Sequence, residues 1–317
     1  AQEVIMGRKT LLTLTSVLLT LTLLLIATAG LAQAPVGNGF TYTLTADYVV
    51  PFGQTWTLNP GDTVLAGPGD TNNVGIDPDR VEIIVYGSLI ANGALFTSGA
   101  ASPHGADWYG IRILAGTASI EDTTIEYGKI GVTADSSPAA TIRYSTIRYN
   151  ENVGAREEGI RGAGLFIVTD GSYPGSPTVD HCTIAENLID NGDFHGPSVS
   201  GGPGIYIEGD GSTVIRDSYI VSNTISSENG ITHGAIWHAG GEMLLERSVI
   251  AYNEDCSDAQ GTGLSTLGGD IRNNLFFHNL SHECSGITEG VAIYAKGGTI
   301  LNNTIVSNLF GSQVAVG

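Results

Sequence analysis

Apolar residues recur along this chain in a nine-residue pattern. Each copy has an apolar residue, two variable residues, a small polar residue, one variable residue, a second apolar residue (the anchor), two variable residues and a final position that is usually Asn. Seven copies begin at Ile120, Ile142, Val179, Ile215, Leu245, Ile271 and Ile300. Their anchors are Ile125, Ile147, Ile184, Ile220, Ile250, Phe276 and Ile305. A repeat of this period predicts stacked structural units rather than one globular core.

The final position of the pattern predicts a ladder of side-chain amides. It is Gly128 in the first copy and Asn150, Asn187, Asn223, Asn253, Asn279 and Asn308 in the others. If each copy is one coil of a parallel β-solenoid, these residues stack about 4.8 Å apart. Stacked amides donate to and accept from their neighbours. Asn also tolerates the left-handed backbone that a sharp corner requires. We assign this column a structural role.

Two further features repeat with each copy. The small polar column is Thr123, Ser145, Cys182, Ser218, Ser248, Asn274 and Asn303, which we expect to point inward and to bond along the stack. A second strand precedes each copy, marked by Gly110-Ile111, Gly131-Val132, Gly164-Leu165, Gly204-Ile205, Ala235-Ile236, Gly263-Leu264 and Ala292-Ile293. Period-two alternation after each pair is typical of strands.

The repeated unit, Gly-Ile-x-apolar followed by Ile-x-x-Ser-x-Ile-x-x-Asn, resembles the coil of right-handed parallel β-helix proteins with the pectin-lyase-like fold. The resemblance covers residues 80–317 and implies an all-β parallel β-helix of about eight to ten coils. Residues 35–79 are predicted to form a β cap over the amino end, because an open end exposes apolar surface and unpaired edges. No matching cap is visible at the other end, so we expect a truncated solenoid.

The amino-terminal residues predict export. Arg8 and Lys9 precede an apolar stretch from Leu11 to Leu31, and small residues follow, as in a secretory signal peptide over 1–34. Cleavage is expected after Ala29 or Ala32; the alternative is an uncleaved membrane anchor. Beyond residue 34 no apolar run is long enough to span a membrane. The mature protein is therefore expected to be secreted or held at the cell surface.

Composition narrows the function classes. The chain has 44 Gly in 317 residues without a period of three, which excludes collagen, and its 42% hydrophobic content can build a core. It has 13 Lys and Arg residues and 32 Asp and Glu residues, which give a net charge of −19. Such a chain repels a phosphate backbone, so a nucleic-acid partner is not expected. We expect a monomer.

The candidate binding surface lies where the coils vary in length. The variable loops fall at about 151–163, 188–203, 224–234, 254–262 and 280–291. On the strands next to these loops, one row of side chains should point outward: Arg112, Thr133, Phe166, Tyr206, Trp237, Ser265 and Tyr294. Aromatic residues in this row could stack on sugar rings, with Arg112 beside them. The alternative is that the long loops fold over the aromatic residues as a satellite core. The resemblance also places a polysaccharide on this face.

Catalysis has no recognisable signature here. Weak candidates are Glu208, His238 and Lys296. A lyase needs a base beside an acidic sugar, and a hydrolase needs two carboxylates roughly 5–10 Å apart. Three functions stay open: a glycan-binding β-helix, a polysaccharide lyase or glycoside hydrolase using the same groove, and a surface stalk or adhesin. No cofactor is assigned, although paired acids on the rim offer the oxygen ligands that Ca²⁺ takes.

The three cysteines have different predicted fates. Cys182 falls in the inward polar column and should be a buried free thiol. Cys256 and Cys284 lie in loops of adjacent coils, and an exported protein favours disulfides. One coil of separation suits the short reach of a disulfide. We predict a Cys256–Cys284 bond between two loops of the binding face.

Overall fold

The computed structural model describes residues 39–311 with gaps at 137–138, 155–159, 173–175, 192–198 and 283–288, and for residues 139, 227–229 and 256–258 it describes the backbone alone. The predicted signal peptide at 1–34 lies outside the described residues. The described part contains strands and no helix, and every strand in a sheet pairs in parallel with its neighbours. The predicted all-β parallel solenoid is confirmed.

Three long sheets run the length of the solenoid, with strands numbered in chain order. Sheet 1 carries the anchors and contains β1 (Thr41–Leu44), β4 (Thr63–Ala66), β7 (Leu95–Ser98), β10 (Thr124–Glu126), β13 (Thr146–Arg148), β17 (Thr183–Ala185), β22 (Tyr219–Val221), β26 (Val249–Ala251), β30 (Leu275–Phe277) and β34 (Thr304–Val306). Sheet 2 carries the Gly-Ile strands and contains β2 (Tyr48–Val50), β5 (Glu82–Val85), β8 (Gly110–Leu114), β11 (Val132–Asp135), β15 (Leu165–Thr169), β20 (Ile205–Gly209), β24 (Ile236–His238), β28 (Leu264–Thr266) and β32 (Ile293–Ala295).

Sheet 3 carries the first apolar residue of the pattern and contains β3 (Thr55–Leu58), β6 (Ser88–Asn92), β9 (Thr117–Glu121), β12 (Ala139–Arg143), β16 (Thr178–Asp180), β21 (Ser212–Arg216), β25 (Glu242–Glu246), β29 (Asp270–Arg272) and β33 (Thr299–Leu301). A shorter sheet 4 contains β14 (Glu151–Val153), β18 (Leu188–Asp190), β23 (Thr224–His233), β27 (Glu254–Gln260), β31 (Leu280–His282) and β35 (Leu309–Phe310), with β19 (Val199–Gly201) paired to β23.

The pairing register follows the repeat. Ile125 lies opposite Ile147, and each later anchor lies opposite the next as far as Ile305. The anchors from Ile125 to Phe276 belong to one continuous buried apolar cluster that runs through the solenoid. In the last described coil, the first apolar residue of the pattern, Ile300, and the anchor, Ile305, are both exposed.

The nine-residue segment is not one strand, because the chain turns within it. Left-handed residues with φ between 48° and 57° stand directly before the small polar column and separate sheet 3 from sheet 1, at Asp122, Tyr144, His181, Asp217, Arg247, Asn273 and Asn302. A second left-handed residue precedes the Asn column, as at Tyr149 and Ser222. The expectation that Asn itself takes the left-handed conformation is therefore wrong.

The Asn side chains instead fill the inside of the second corner. The Nδ2 group of Asn150 donates to Oδ1 of Asn187 at 2.9 Å, and the same bond links each later pair up to Asn279 and Asn308. Each Oδ1 also accepts the backbone N–H of the preceding Asn. The ladder thus satisfies backbone donors that the turn leaves unpaired. The small polar column bonds in the same way, as from Cys182 N to Ser218 Oγ at 3.0 Å.

The amino-terminal strands differ from a separate cap. Strands β1, β2 and β3 are the first strands of sheets 1, 2 and 3, so the regular coil starts at Thr41. Aromatic rings fill this first coil, since Trp56 packs against Tyr42 at 5.8 Å and Tyr48 at 4.4 Å between centroids. The function expected of a cap is served by large side chains inside an ordinary coil.

Sheet 4 replaces part of the loops that the sequence predicted. After each Asn the chain continues as a short strand before it turns back towards sheet 2. A small separate core of Ile160, Ala163, Ile189 and Ile225 lies in this region. We call sheet 4 with β19 and the returning segments the lateral lobe. It brings backbone and side chains onto the outer face of sheet 2, where the candidate site lies.

Candidate functional site

The outer row of sheet 2 has the predicted order. In register along the sheet lie Arg112, Thr133, Phe166, Tyr206, Trp237, Ser265 and Tyr294. The ring centroids of Phe166 and Tyr206 are 5.0 Å apart, and those of Tyr206 and Trp237 are 4.8 Å apart. The parallel pairing therefore brings three aromatic side chains into one contact series.

Two of these aromatic residues are not open to a ligand. Tyr206 is 2% exposed and Trp237 is 8% exposed. The lateral lobe covers them: the His233 ring stacks on Trp237 at 4.2 Å, and the guanidinium of Arg161 lies over both rings. The interpretation as a satellite core holds for Tyr206 and Trp237, and an open sugar platform at these two positions is wrong for this conformation.

Arg112 forms a structural ion pair with Glu82. Its Nη1 donates to Glu82 Oε2 at 2.7 Å, and Glu82 is fully buried. The other oxygen of Glu82 accepts the backbone N–H groups of Ile76 and Asp77, each at 2.7 Å. Arg112 thus neutralises the carboxylate that holds the segment around Asp77 against sheet 2, and its predicted role in contacting substrate has no support in this geometry.

The carboxyl-terminal part of the row is more polar. Ser265 separates Trp237 from Tyr294, and its Oγ lies 2.8 Å from His233 Nδ1. Burial, with a contribution from Lys296, lowers the pKa of His233 to about 4, so the ring is neutral at pH 7. The Lys296 ammonium lies 5.6 Å from the Tyr294 ring centroid.

The three weak catalytic candidates do not converge. His238 is fully buried, because it occupies the inward column between Ile207 and Thr266, and its Nδ1 lies 2.8 Å from Thr266 Oγ1. Its inward position keeps it out of the groove on the outer face of sheet 2 and contradicts its prediction as a catalytic candidate. Glu208 accepts a 2.6 Å bond from the Tyr206 hydroxyl. Lys296 follows β32, three strand spacings from β20, or about 14 Å along the stack.

A cleft of about 630 Å³ opens beside the covered aromatic residues. One wall is the turn Ile76, Asp77, Pro78, Asp79 and Arg80, and the remaining lining residues are Tyr109, Lys129, Ile130, Asn152, Val153, Ile160, Arg161 and Phe166. Phe166 is the one predicted binding residue among them. The repeat predicts no position for this turn, because residues 76–80 lie outside the repeated segments.

Ion pairs order the wall of this cleft. Asp77 lies 3.1 Å from Arg80 Nη1 and 3.4 Å from Lys129 Nζ. Burial alone would raise the pKa of Asp77, but the backbone N–H of Asp79 and the two cations outweigh it and lower that pKa. The Arg80 Nε also donates to the Ala106 carbonyl at 2.7 Å. Arg80 and Lys129 therefore share one carboxylate partner, Asp77.

One group of potential metal ligands occurs in the described ranges, and it lies away from the cleft. Asp180, His181 and Asp217 place ligand atoms within 4.8 Å of one another at the corner between sheets 3 and 1. Guanidinium groups already bind both carboxylates, from Arg216 to Asp180 at 3.1 Å and from Arg247 to Asp217 at 2.8 Å. This cluster is better explained by ion pairing than by a bound metal ion.

The predicted disulfide lies outside the described residues at Cys284 and at the side chain of Cys256. The backbone of Cys256 pairs with His282, two residues before Cys284. Cys182 is a buried free cysteine. Burial raises its pKa to about 11, so the thiol stays protonated.

Stacked parallel sheets, an inward amide ladder and a lateral lobe over one outer face define the protein as a right-handed parallel β-helix. Residues 179–316 match the family described as the right handed beta helix region. Neither the curated proteins nor the solved structures gave a significant match. Among the residues that the structure describes, no helix has the length and apolar character needed to cross a membrane.

Proposed function

We propose that this β-helix protein is exported and binds a glycan in the cleft between the Asp77–Arg80 turn and the lateral lobe. The observation that supports the proposal is the cleft itself, with the half-buried Phe166 beside several hydrogen-bonding side chains. Its volume of about 630 Å³ is within the usual range for ligand sites. Aromatic faces take the C–H groups of sugar rings, and polar side chains take the hydroxyl groups.

Phe166 is the residue to test, rather than Trp237. Because Trp237 is buried, its truncation would create a cavity and confuse stability with binding. Phe166 is half-buried and lines the cleft. We expect Phe166→Ala to weaken glycan binding about tenfold, the loss typical of one aromatic contact.

The experiment is a glycan array followed by calorimetric titration of the best ligand. Tyr219→Ala is the matched control, since Tyr219 is an exposed aromatic residue on sheet 1. Binding by the wild type and by Tyr219→Ala, with loss in Phe166→Ala, is the expected result. No binding by the wild type, or equal binding by both variants, would overturn the proposal.

Enzymatic cleavage in the same groove has a separate assay. Incubation with uronic-acid polymers would show a rise in ultraviolet absorbance if a lyase formed unsaturated products. The candidate residues Glu208 and Lys296 do not converge, so we expect no rise. A rise that persisted in Lys296→Ala would assign a lyase with a different base.

Export has its own test. The full sequence expressed in a secreting host should appear in the medium with a new amino terminus at Gly30 or Gln33. Retention of the segment 1–34 in a membrane fraction would favour the uncleaved anchor instead.

A further inference from the structure

Arg161 differs from the other arginines of the described chain in its ion pairing. A carboxylate oxygen lies within 3.3 Å of each of Arg80, Arg112, Arg143, Arg148, Arg216, Arg247 and Arg272. The closest carboxylate to Arg161 is Glu208, whose Oε2 is 4.0 Å from Nη1. That oxygen already accepts the Tyr206 hydroxyl at 2.6 Å. Arg161 Nε is buried and has no hydrogen-bond partner within the described ranges.

The guanidinium is held in place mainly by aromatic rings, because its ion pair with Glu208 is long, at 4.0 Å. It lies 5.8 Å from the Tyr206 ring centroid and 5.7 Å from that of Trp237, distances at which a cation is attracted to an aromatic face. The backbone of Arg161 forms a bridge with Gly201, and its carbonyl accepts a 3.1 Å bond from Asn152 Nδ2. Stacking occupies a face of the guanidinium and leaves its edges, which carry the donors, for other partners.

These donors are next to the proposed ligand. Arg161 lines the cleft, and its side chain is 41% exposed. The other two cations of the lining, Arg80 and Lys129, are bound to Asp77. Arg161 is therefore the cation of the cleft whose carboxylate partner is most distant, at 4.0 Å.

We propose that Arg161 binds an oxyanion on the glycan, a carboxylate or a sulfate, and so selects acidic over neutral glycans; this rests on the proposed function that a glycan occupies the cleft. A guanidinium fork matches both groups bidentately. The net charge of −19 repels anions at long range, so the selection depends on this short-range contact. Moderate salt screens the long-range repulsion between the protein and the anion more than it weakens the direct contact between Arg161 and the oxyanion.

The first experiment reads Arg161 directly. In protein with ¹⁵N-labelled arginine, the Nε–H resonance of Arg161 is assigned by its absence in Arg161→Lys. We expect it to shift saturably with glucuronate or with glucose 6-sulfate and not with glucose, and the stronger of the two anions identifies the group. No shift with either anion, or an equal shift with glucose, overturns the proposal. Arg148→Lys, which alters an exposed ion-paired arginine on sheet 1, should titrate as the wild type does.

The second experiment separates this inference from the proposed function. On a glycan array the wild type should prefer acidic to matched neutral oligosaccharides about tenfold, and in Arg161→Gln this ratio should fall to about one. Equal binding of both classes by the wild type overturns the role of Arg161 while leaving glycan binding intact. If no glycan binds, the proposed function fails, and the resonance titration still decides whether Arg161 takes an oxyanion. Thermal unfolding checks that Arg161→Gln is folded.

Discussion

Arg216 donates a 3.1 Å hydrogen bond to Asp180 in the neighbouring coil, while Arg143 lies 3.3 Å from the same carboxylate on the other side. This contact belongs to a row on the outer face of sheet 3 in which charges alternate in register: Glu121, Arg143, Asp180, Arg216, Glu246 and Arg272. Opposite charges on adjacent strands stabilise a sheet, and like charges destabilise it. The row therefore supports the coil order that the apolar columns specify.

Asp180→Asn should lower the free energy of unfolding by about 1–3 kcal/mol, because it removes the negative charge that Arg143 and Arg216 share and one of the two acceptor oxygens of that carboxylate. Burial alone would raise the pKa of Asp180, but hydrogen bonds from Arg216 and His181 outweigh it and lower that pKa. Its contribution is thus present above the usual Asp range and lost as the pH falls through the lowered value. Urea unfolding at pH 7 measures the change. Glu254→Gln, at an exposed pair with His282, is the control and should change stability by less than about 1 kcal/mol.

Asn223→Ala should cost more stability than Asn308→Ala. Asn223 is fully buried, donates to Asn253 Oδ1 and the Ile184 carbonyl, and accepts from Asn187. Its removal leaves several buried groups unpaired, at about 1–3 kcal/mol for each. Asn308 has a coil on one side alone in the described structure, so fewer bonds are lost. Equal losses in denaturant unfolding would count against the ladder as a source of stability.

Asp255 should contribute a loss of stability as the pH rises from about 4 to about 7, and the lowered pKa of His233 contributes a gain over part of the same range. Asp255 is 1% exposed, accepts a 2.6 Å bond from Thr232 Oγ1, and has no partner for Oδ2 in the described chain. Burial raises its pKa to about 7, so over this range the folded state holds a proton that the unfolded state has released. The loss is at most about 1.4 kcal/mol for each pH unit.

Asp255→Asn should remove that loss and make the stability curve slope more steeply upwards with pH than in the wild type, since an amide keeps the acceptor for Thr232 and does not ionise. The comparison is urea unfolding at several pH values between 4 and 8. Glu254 and His282, the ionisable neighbours in sheet 4, are exposed and lie 3.3 Å apart. Glu254→Gln therefore serves as the control for their titration. Parallel curves for the wild type and Asp255→Asn would show that another group is responsible.

Gly201→Ala should loosen the cover over Trp237. A Cβ at Gly201 would lie 2.5 Å from the His233 carbonyl oxygen and 2.8 Å from Cε3 of Trp237, so the lateral lobe would have to move. We expect a loss of about 1–3 kcal/mol and a red shift of tryptophan fluorescence. Gly268→Ala is the control, because nothing lies within 4 Å of its added Cβ. Unchanged emission in Gly201→Ala would mean that the lobe does not depend on this close approach.

Thiol chemistry can test the predicted Cys256–Cys284 bond. The native protein should show no thiol that reacts rapidly, because Cys182 is buried and its raised pKa keeps it protonated. After unfolding without reductant, one thiol per chain should react, and peptide mapping should show the other two cysteines linked. Three reactive thiols in the unfolded, unreduced protein would rule the disulfide out.

Sequence alone was sufficient for the solenoid, as the anchor at Ile147 shows. The spacing of the repeat predicts that Ile184 is its neighbour on the next strand, and the two residues lie in register. In a solenoid each coil contacts its neighbours alone, so a pattern along the chain becomes a column in space. The same alternation would have placed His238 inward, since it follows the outward Trp237.

Tertiary structure decided which part of the outer face is accessible. Tyr206 and Trp237 point outward as their positions predict, yet segments from coils of different length fold back and bury them under Arg161 and His233. Those segments share no sequence period, so the repeat pattern does not predict where they lie. The cleft likewise depends on a turn outside the repeat, which Glu82 holds by accepting the backbone N–H groups of Ile76 and Asp77 while it pairs with Arg112 of a later coil. Periodic contacts can be derived from sequence because they are local to a coil and its neighbour, whereas the site is built from unique contacts between irregular segments.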